Sequence, residues 1–261
     1  MSERIKEQVQ QQFAKNAGKY VSSALHAKGA DLELLVSASQ AHRDMKVLDI
    51  ATGGGHVANA LAPLVKQVTA YDLTEEMLKS AAAFIQGNGH RNVDFIRGDA
   101  EALPFAAASF ELVTCRIAAH HFPDIPAFIS EAGRVLKPGG RLQLIDNVAP
   151  EDKALAGFYN EVEKLRDPSH VRALPKSEWI QLLERSGFRL EALICFAKPF
   201  NFADWCERAG LAQPEQERVK AAFLQAPQGT RDFFSIREDG GELLGFTGEA
   251  AYMQASKVRP D

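Results

Sequence analysis

The chain has 261 residues, of which 46% are hydrophobic and 25% charged, as in an ordinary globular protein. Its formal net charge is −4 and no run of Lys and Arg forms a basic stripe, so we expect no nucleic-acid partner. No run approaches about 18 apolar residues, and the polar N-terminus lacks the apolar segment of a signal peptide. We therefore expect neither a membrane span nor a secretory leader.

The cysteines, Cys115, Cys195 and Cys206, are odd in number and widely spaced. Such a set is typical of neither a disulfide framework nor a zinc site. A reducing compartment is then the default, and we expect a cytoplasmic protein.

The polar N-terminal segment predicts two helices, over 3–15 and 20–38, with Gly18 and Gly29 as breaks. From residue 46 onward, short apolar runs alternate with helical periodicity, which indicates a parallel sheet with helices on both faces. The predicted strands are 46–51, 67–72, 92–97, 110–116 and 140–146, and the predicted helices are 56–64, 75–86 and 125–135.

After Pro150 the alternation is less regular. Gly240-Gly241 lies between two short β-like runs and predicts a hairpin within 232–247. The other predicted elements are helices at 151–165, 176–186, 201–209 and 214–224, and strands at 188–197 and 250–257.

The first strand leads into a glycine-rich loop, Asp49-Ile50-Ala51-Thr52-Gly53-Gly54-Gly55, and a helix follows immediately. Glycines let the backbone turn tightly and approach a ligand. The free N–H groups of the helix start suit a carboxylate or a phosphate equally. The loop therefore predicts a nucleotide-type cofactor without selecting one.

Two acids follow the next two strands. Asp72 ends the second strand beside the glycine loop, where its carboxylate can accept hydrogen bonds from both ribose hydroxyls of an adenosine. Asp99 follows the third strand, where an adenine amino group would lie, and Ala100 can offer its N–H to a ring nitrogen. The structural alternatives are a cap near Thr74 for Asp72 and a simple turn for Asp99.

The fourth strand ends at Arg116, and His120 and His121 follow shortly after it. Ligands of such sheets bind at the carboxyl edge, where the strand order reverses. The two histidines are candidates for a base or a ligand, and packing is the alternative.

Five segments together resemble the class I S-adenosylmethionine-dependent methyltransferases, in particular the type 11 group that includes the ubiquinone/menaquinone-biosynthesis C-methyltransferases. In this family's glycine loop a glycine usually stands where this chain has Ala51, the smallest substitute. The segments are VLDIATGGGH (47–56), VTAYDLTEEML (68–78), FIRGDAEALPF (95–105), FELVTCRIAAHHF (110–122) and RVLKPGGRL (134–142).

The resemblance implies an α/β fold: a Rossmann-like, doubly wound sheet of seven strands in the order 3-2-1-4-5-7-6, with strand 7 antiparallel and formed by 250–257. It implies one methyltransferase domain over 1–261. Within it, 1–40 is expected to form an N-terminal helical lid, 45–147 the cofactor-binding core, and 151–235 a substrate-side helical region inserted after strand 5.

The resemblance also implies S-adenosyl-L-methionine as the cofactor and assigns residues to its parts. The methionine end meets the loop of Asp49, Ala51, Thr52, Gly53 and Gly55. Asp72 takes the ribose, Leu73 and Met77 flank the adenine, and Asp99 and Ala100 meet the adenine edge. Arg116 and His121 lie near the sulfonium, and Tyr20 and His26 lie in N-terminal helices that close over the cofactor.

Methyl transfer is an in-line displacement, so the enzyme must chiefly align the nucleophile with the methyl group. A base assists a weakly acidic nucleophile. His121 and His120 are the candidate catalytic residues, with His26 and His170 as further candidates. No metal-ligand spacing is visible, so we expect a metal-free reaction.

The methyl acceptor is expected to be a small molecule bound by the region after residue 150. Arg166, His170 and Arg172 lie in a charged connection between two helices and are candidate substrate-binding residues, with a solvated connection as the alternative. A homodimer is possible and the sequence leaves the oligomeric state open.

Two other functions fit parts of the pattern. Gly53-x-Gly55-x-x-Ala58 with Asp72 also satisfies the fingerprint of a nicotinamide-dependent oxidoreductase. A non-catalytic protein that binds S-adenosylmethionine is the other alternative, because a fold does not guarantee activity. Asp99 and the Lys137-Pro138-Gly139-Gly140 turn favour the methyltransferase, since a dinucleotide site needs neither.

Overall fold

The computed structural model describes the backbone of residues 2–22 and 29–258, and the side chains of 3–14 and 29–258. Helix α1 spans Ser2–Ser22 and helix α2 spans Ala30–Ala38. The predicted helix end near residue 15 is wrong, because α1 continues through Gly18. A single glycine costs a helix only about 1 kcal/mol, which the favourable propagation of a long helix can absorb. The predicted helix over 20–38 includes residues 23–28, which lie outside the described residues.

Strands and helices alternate from residue 46 to residue 148, as the hydrophobic pattern predicts. The strands are β1 Lys46–Ile50, β2 Gln67–Asp72, β3 Val93–Arg97, β4 Phe110–Arg116 and β5 Leu136–Val148. The helices are α3 His56–Leu61, α4 Glu75–Gly87 and α5 Ile125–Val135, with 3-10 turns at Ala62–Leu64 and Ala119–His121.

The second half adds helices and the last strands of the same sheet. The helices are α6 Lys153–Arg166, α7 Lys176–Arg185, α8 Phe202–Ala209, α9 Gln213–Leu224 and α10 Gln228–Phe233. The strands are β6 Phe188–Asn201, β7 Arg237–Asp239 and β8 Glu242–Lys257.

The sheet has the order β3-β2-β1-β4-β5-β8-β6, and β8 is antiparallel to both β5 and β6. β8 therefore occupies the place of the family's antiparallel seventh strand, which confirms the predicted doubly wound α/β fold. The short strand β7 pairs only with β8, through a turn at Gly240–Gly241. Because β6 and β5 are both antiparallel to β8, the carboxyl ends of β5 and β6 lie at the same edge as those of β1 to β4.

Several strands are longer than the sequence predicts. β5 begins at Leu136 rather than at Gly140, because Leu136 already pairs with Phe110 before the register shifts. β6 continues to Asn201 and β8 begins at Glu242, where the two strands pair with each other beyond the ends predicted from hydrophobicity. Helix α10 was not predicted, since its six residues carry too little periodicity to indicate a helix.

The core lies on both faces of the sheet. β1 is buried from Val47 to Ile50, as expected of a central strand covered by helices on both sides. A third apolar cluster lies between α6, α8, α9 and the ends of β6 and β8. Most of the aromatic side chains of the second half belong to this core: Tyr159, Phe200, Phe202, Trp205, Phe223 and Phe246.

The glycine loop after β1 uses the left-handed region of backbone space at three positions. Ala51 has φ +52°, Gly53 has φ +54° and Gly55 has φ +81°. Gly55 also supports close packing, because a methyl group on its Cα would lie 2.9 Å from both Ala81 Cβ and Ile85 Cδ1 of α4. The loop conformation therefore depends on a glycine at 55, while Ala51 tolerates the strain because alanine has the smallest side chain.

This geometry predicts that Gly55→Ala destabilises the protein by about 2–4 kcal/mol, the sum of left-handed strain and overpacking. Gly157→Ala in α6 is the matched control, because a methyl group there meets no atom within 4 Å, and it should stabilise by about 0.5–1 kcal/mol. Chemical denaturation measures both changes. Equal stability of the two variants would contradict the packing role of Gly55.

Candidate active site

A cavity of about 1060 Å³ opens at the carboxyl edge of the sheet, above the ends of β1, β2, β3 and β4. Gly55 lies beneath the loop, against α4, rather than in the cavity wall. The side chain of Tyr20 and all of His26 lie outside the described residues. The remaining predicted cofactor residues line the cavity: Asp49, Ala51, Thr52, Gly53, Asp72, Leu73, Met77, Asp99, Ala100, Arg116 and His121.

Asp49 fixes the floor of the cavity. Its carboxylate accepts hydrogen bonds from Thr52 Oγ1 at 2.6 Å and Thr114 Oγ1 at 2.7 Å. Burial raises the pKa of Asp49 to about 6 despite these two hydrogen bonds. The contacts join the loop after β1 to the neighbouring strand β4, so the loop is held in place from below.

Asp72 joins the loop to the start of the next helix. One carboxylate oxygen accepts the Gly53 N–H at 2.9 Å, and the other accepts the Thr74 N–H at 2.9 Å. The side chain of Thr74, the residue before α4, makes no capping hydrogen bond. Asp72 therefore holds the turn before α4 but does not cap the helix, whose N-cap is Thr74, and its carboxylate also lines the cavity, with lone pairs left for a ligand.

Asp99 is covered by α1. Its Oδ1 accepts the Glu101 N–H at 2.9 Å, while Lys6 Nζ lies 2.5 Å from Asp99 Oδ2 and 2.6 Å from Glu101 Oε2. Further along α1, Gln10 Nε2 donates to the Leu73 carbonyl at 3.1 Å, and Phe13 packs edge-on against His121. Helix α1 therefore forms a roof over the cavity. No local pattern indicates a role for Lys6, which lies 93 positions from Asp99 in the chain.

Arg116 is neutralised by an acid from α2. Its Nε and Nη2 donate to the two oxygens of Asp31 at 2.7 Å and 2.9 Å, a bidentate pair. Asp31 has a lowered pKa: burial alone would raise it, and Arg116 outweighs that effect. A role for Asp31 could not be predicted from the sequence, because Asp31 precedes the first strand and no local motif surrounds it.

His120 is paired with Asp146 behind the cavity. The His120 Nδ1–H donates to Asp146 Oδ1 at 2.5 Å, and both side chains are buried. Burial alone would lower the pKa of His120, but the Asp146 carboxylate raises it above its usual value. Asp146 was missed, although it lies near the end of β5 as Asp72 lies at the end of β2.

His121 faces the cavity and has the opposite electrostatic environment. Its Nδ1 lies 3.1 Å from the Ser169 carbonyl oxygen. Burial and the neighbouring His120 lower its pKa to about 4. The imidazole rings of His120 and His121 are 4.2 Å apart, so the two histidines interact directly while only one carries a raised pKa.

The three predicted substrate residues have protein partners. Arg166 pairs with Glu163 at 3.0 Å and lies over the Trp205 ring, and Arg172 pairs with Glu178 at the exposed surface. His170 lies 5.5 Å from His120, ring to ring, and burial lowers its pKa to about 2. The structure therefore brings only His170 next to the predicted catalytic histidines.

The described residues contain no group of three His, Cys, Asp or Glu side chains that could hold a metal ion. Within the same residues, no helix is long and apolar enough to cross a membrane.

Similar proteins of known sequence and structure identify the family to which the chain belongs. Residues 48–144 match the family model of a methyltransferase domain. The chain is 37% identical to the uncharacterised methyltransferase YcgJ of Bacillus subtilis, over 94% of this chain and 97% of that protein. It is 32% identical to the ubiquinone/menaquinone biosynthesis C-methyltransferase UbiE of Rhizobium meliloti, over 74% of each chain.

The solved structures agree. A protein from Bacillus halodurans C-125, described as a methyltransferase, superposes with a TM-score of 0.86 and 50% identity, covering 88% of this chain and all of that one. The chain therefore belongs to the S-adenosylmethionine-dependent methyltransferases. Its cofactor is S-adenosylmethionine, which favours this class over the nicotinamide-dependent oxidoreductase.

The position of Asp72 predicts that Asp72→Ala weakens binding of S-adenosylhomocysteine, the cofactor product, by roughly 1.5–3 kcal/mol, as for charge-assisted hydrogen bonds. Isothermal titration calorimetry measures the effect. Asp94→Ala, an exposed acid on β3, is the control and should bind like the unchanged protein. Unchanged affinity in a folded Asp72→Ala variant would leave Asp72 with its structural role alone.

Proposed function

We propose that this enzyme transfers the methyl group of S-adenosylmethionine to a small-molecule acceptor, with His120 as the general base and Asp146 as the residue that positions it. The observation that carries the catalytic part is the buried His120–Asp146 pair, which lies behind His121 of the cavity wall, with the two imidazole rings 4.2 Å apart.

The cofactor half of the proposal follows the family pattern. Asp72 would accept from the ribose hydroxyls, Asp99 and Ala100 would contact the adenine edge, and the loop at Ala51 would face the methionine end. The sulfonium is positively charged, so a lone guanidinium nearby would oppose binding. The bidentate Asp31–Arg116 pair cancels that charge, which supports a sulfonium close to Arg116.

His120 suits the role of base better than His121. A general base works best with a pKa near the working pH, and Asp146 raises the pKa of His120, while that of His121 is about 4. Because Nδ1 is used by Asp146, Nε2 is the nitrogen left to accept a proton. A base oriented by a carboxylate is a recurrent catalytic arrangement. His121, at the cavity wall, would then position His120 and the cofactor.

The reaction balances without a metal. The acceptor atom forms a bond to the methyl carbon while the bond from sulfur to that carbon breaks and its electron pair stays on the neutral thioether. His120 Nε2 takes the proton that the acceptor loses. The products are the methylated acceptor, S-adenosylhomocysteine and a protonated His120.

We propose that residues 1–40 act as a lid, and that α1 is the part of the lid that covers the cavity. Lys6 and Phe13 of α1 line the cavity, and Lys6 contacts the Asp99 oxygen that would meet the adenine amino group, so we expect α1 to move when the cofactor binds. Residues 45–147 would form the cofactor core and 151–235 the acceptor side.

The free thiols of Cys115, Cys195 and Cys206 support a cytoplasmic location.

The proposal is tested by transfer of a labelled methyl group from S-adenosylmethionine to a panel of small nucleophiles. Activity in the unchanged protein and its loss by about 10²–10⁴-fold in His120→Gln, the typical contribution of a base, is the expected result. His90→Gln, a surface change, is the control. Equal turnover of the His120→Gln variant would remove His120 from the mechanism.

The histidine pair makes a second prediction, and its NMR measurement needs no acceptor. Because Asp146 raises the pKa of His120, Asp146→Asn should lower it, and NMR titration of the histidine ring protons measures the shift. With the pair intact, turnover should rise with pH as His120 loses its proton, and in Asp146→Asn this rise should occur at lower pH with a smaller plateau. A His120 pKa that is the same in both proteins would contradict the pairing.

The lid makes a separate prediction. Hydrogen exchange of residues 3–14 should slow when S-adenosylhomocysteine binds, because a lid closes over its ligand. Lys6→Met should speed exchange of this segment in the empty protein, while Lys79→Met, which removes an exposed ion pair, should not. Equally strong protection with and without ligand would mean that α1 is a permanent outer layer.

A further inference from the structure

Lys198 occupies the acceptor side of the carboxyl edge. It lies near the end of β6, opposite Gly248 of β8, and its ammonium group donates to Asn147 Oδ1 at 2.8 Å, near the end of β5. Asn147 follows Asp146, the partner of His120, and its N–H donates to Asp146 Oδ1 at 2.8 Å. Lys198 and the proposed base are therefore held by two consecutive residues of the same strand.

The ammonium of Lys198 has more hydrogen-bonding capacity than its neighbours use. An ammonium has three donors, and the described residues supply one hydrogen-bond acceptor, the neutral amide of Asn147. The only other close partner among them is the Phe200 ring, 5.5 Å away. Burial lowers the pKa of Lys198 to about 8 against the attraction of Glu163, Asp146 and Asp31, while Arg208 adds to the lowering.

Each of the three acids around Lys198 is already paired with another cation. Asp31 holds Arg116, Asp146 holds His120, and Glu163 holds Arg166. Because these pairs are at 2.5–3.0 Å, no carboxylate among them is directed at Lys198 as its own partner. Lys198 is half-buried, and a partly desolvated cation whose hydrogen-bond acceptor among the described residues is a neutral amide is complementary to an anion.

We propose that Lys198 binds a negatively charged oxygen of the methyl acceptor, so that the acceptor is a small organic acid bearing a carboxylate. This inference rests on the proposed function. It names the chemistry of the acceptor and a residue that selects it. A carboxylate carries one negative charge, which a single ammonium balances, whereas a phosphate group carries nearly two and would leave an unpaired negative charge at a partly buried site.

An anion bound at Lys198 would lie next to the end of β5, near enough to His120 for the two side chains to interact electrostatically. The carboxylate would anchor the acceptor while its nucleophilic atom faces the cavity that holds the cofactor. Lys198 would bind and orient the acceptor and would exchange no proton with it.

The test uses benzoate and its neutral isostere benzamide as probes, titrated by NMR into the protein loaded with S-adenosylhomocysteine. The unchanged protein should bind benzoate about tenfold more tightly than benzamide, the effect of one charge-assisted hydrogen bond. In Lys198→Met this preference should disappear, whereas Lys198→Arg should retain part of it.

Lys257→Met is the matched control. Lys257 lies on β8 at the opposite end of the β6–β8 pair, burial also lowers its pKa, and it donates to a single carbonyl, that of Leu136. This variant should keep the preference for benzoate. A preference that survives in Lys198→Met, or is lost equally in Lys257→Met, would overturn the assignment.

The comparison within the unchanged protein does not depend on any variant being folded. If S-adenosylhomocysteine binds and benzoate shows no preference over benzamide, the proposal for Lys198 fails while the methyltransferase function stands. Failure of S-adenosylhomocysteine itself to bind would instead contradict the proposed function, and with it this inference.

Discussion

The carboxylate of Asp72 joins three parts of the cofactor site: the end of β2, the glycine loop after β1 and the start of α4. It accepts one N–H from the glycine loop after β1 and one from the start of α4, while remaining in the wall of the cavity. The left-handed backbone at Ala51 is strained because alanine carries a side chain, and the hydrogen bond from Gly53 to Asp72 helps to hold the loop in this conformation. Contacts within the protein therefore hold the glycine loop in its conformation, which reduces the cost of ordering it on binding.

The acceptor side depends on a second principle, the pairing of buried charges. Asp31, Asp146 and Glu163 are each matched by a cation, and breaking such a pair typically costs about 3–5 kcal/mol because the remaining charge is left buried. The Asp31–Arg116 pair joins α2 to β4, and the His120–Asp146 pair joins the turn after β4 to β5, whereas the Glu163–Arg166 pair lies within α6. Lys198 differs from them, since its hydrogen-bond partner is a neutral amide.

The residues that line the cavity could be found from the sequence, because they lie near the ends of strands in an order that the fold repeats. Asp49, Asp72, Asp99 and Arg116 each lie at or just after the end of a parallel strand, and all reach the same cavity. Asp146 obeys the same rule at β5 and could have been found in this way. The long β6 and β8 extend past their apolar segments, because backbone pairing continues where the hydrophobic pattern has ended.

Other contributors could not be found from local patterns. Lys6 and Asp31 come from helices that precede the sheet, and they meet Asp99 and Arg116 only through tertiary packing. The charged connection of Arg166 and Arg172 looked like a binding segment, yet both side chains have protein partners, and a substrate role for them stays a prediction. Ion pairs between distant segments leave no periodic signal in a single sequence.

We conclude that the cavity binds S-adenosylmethionine rather than a dinucleotide. The most direct measurement is a calorimetric titration of the unchanged protein with S-adenosylhomocysteine, repeated in the presence of excess NADH. We expect S-adenosylhomocysteine to bind saturably at one site per chain and NADH not to displace it. Absence of S-adenosylhomocysteine binding, or its displacement by NADH, would contradict it.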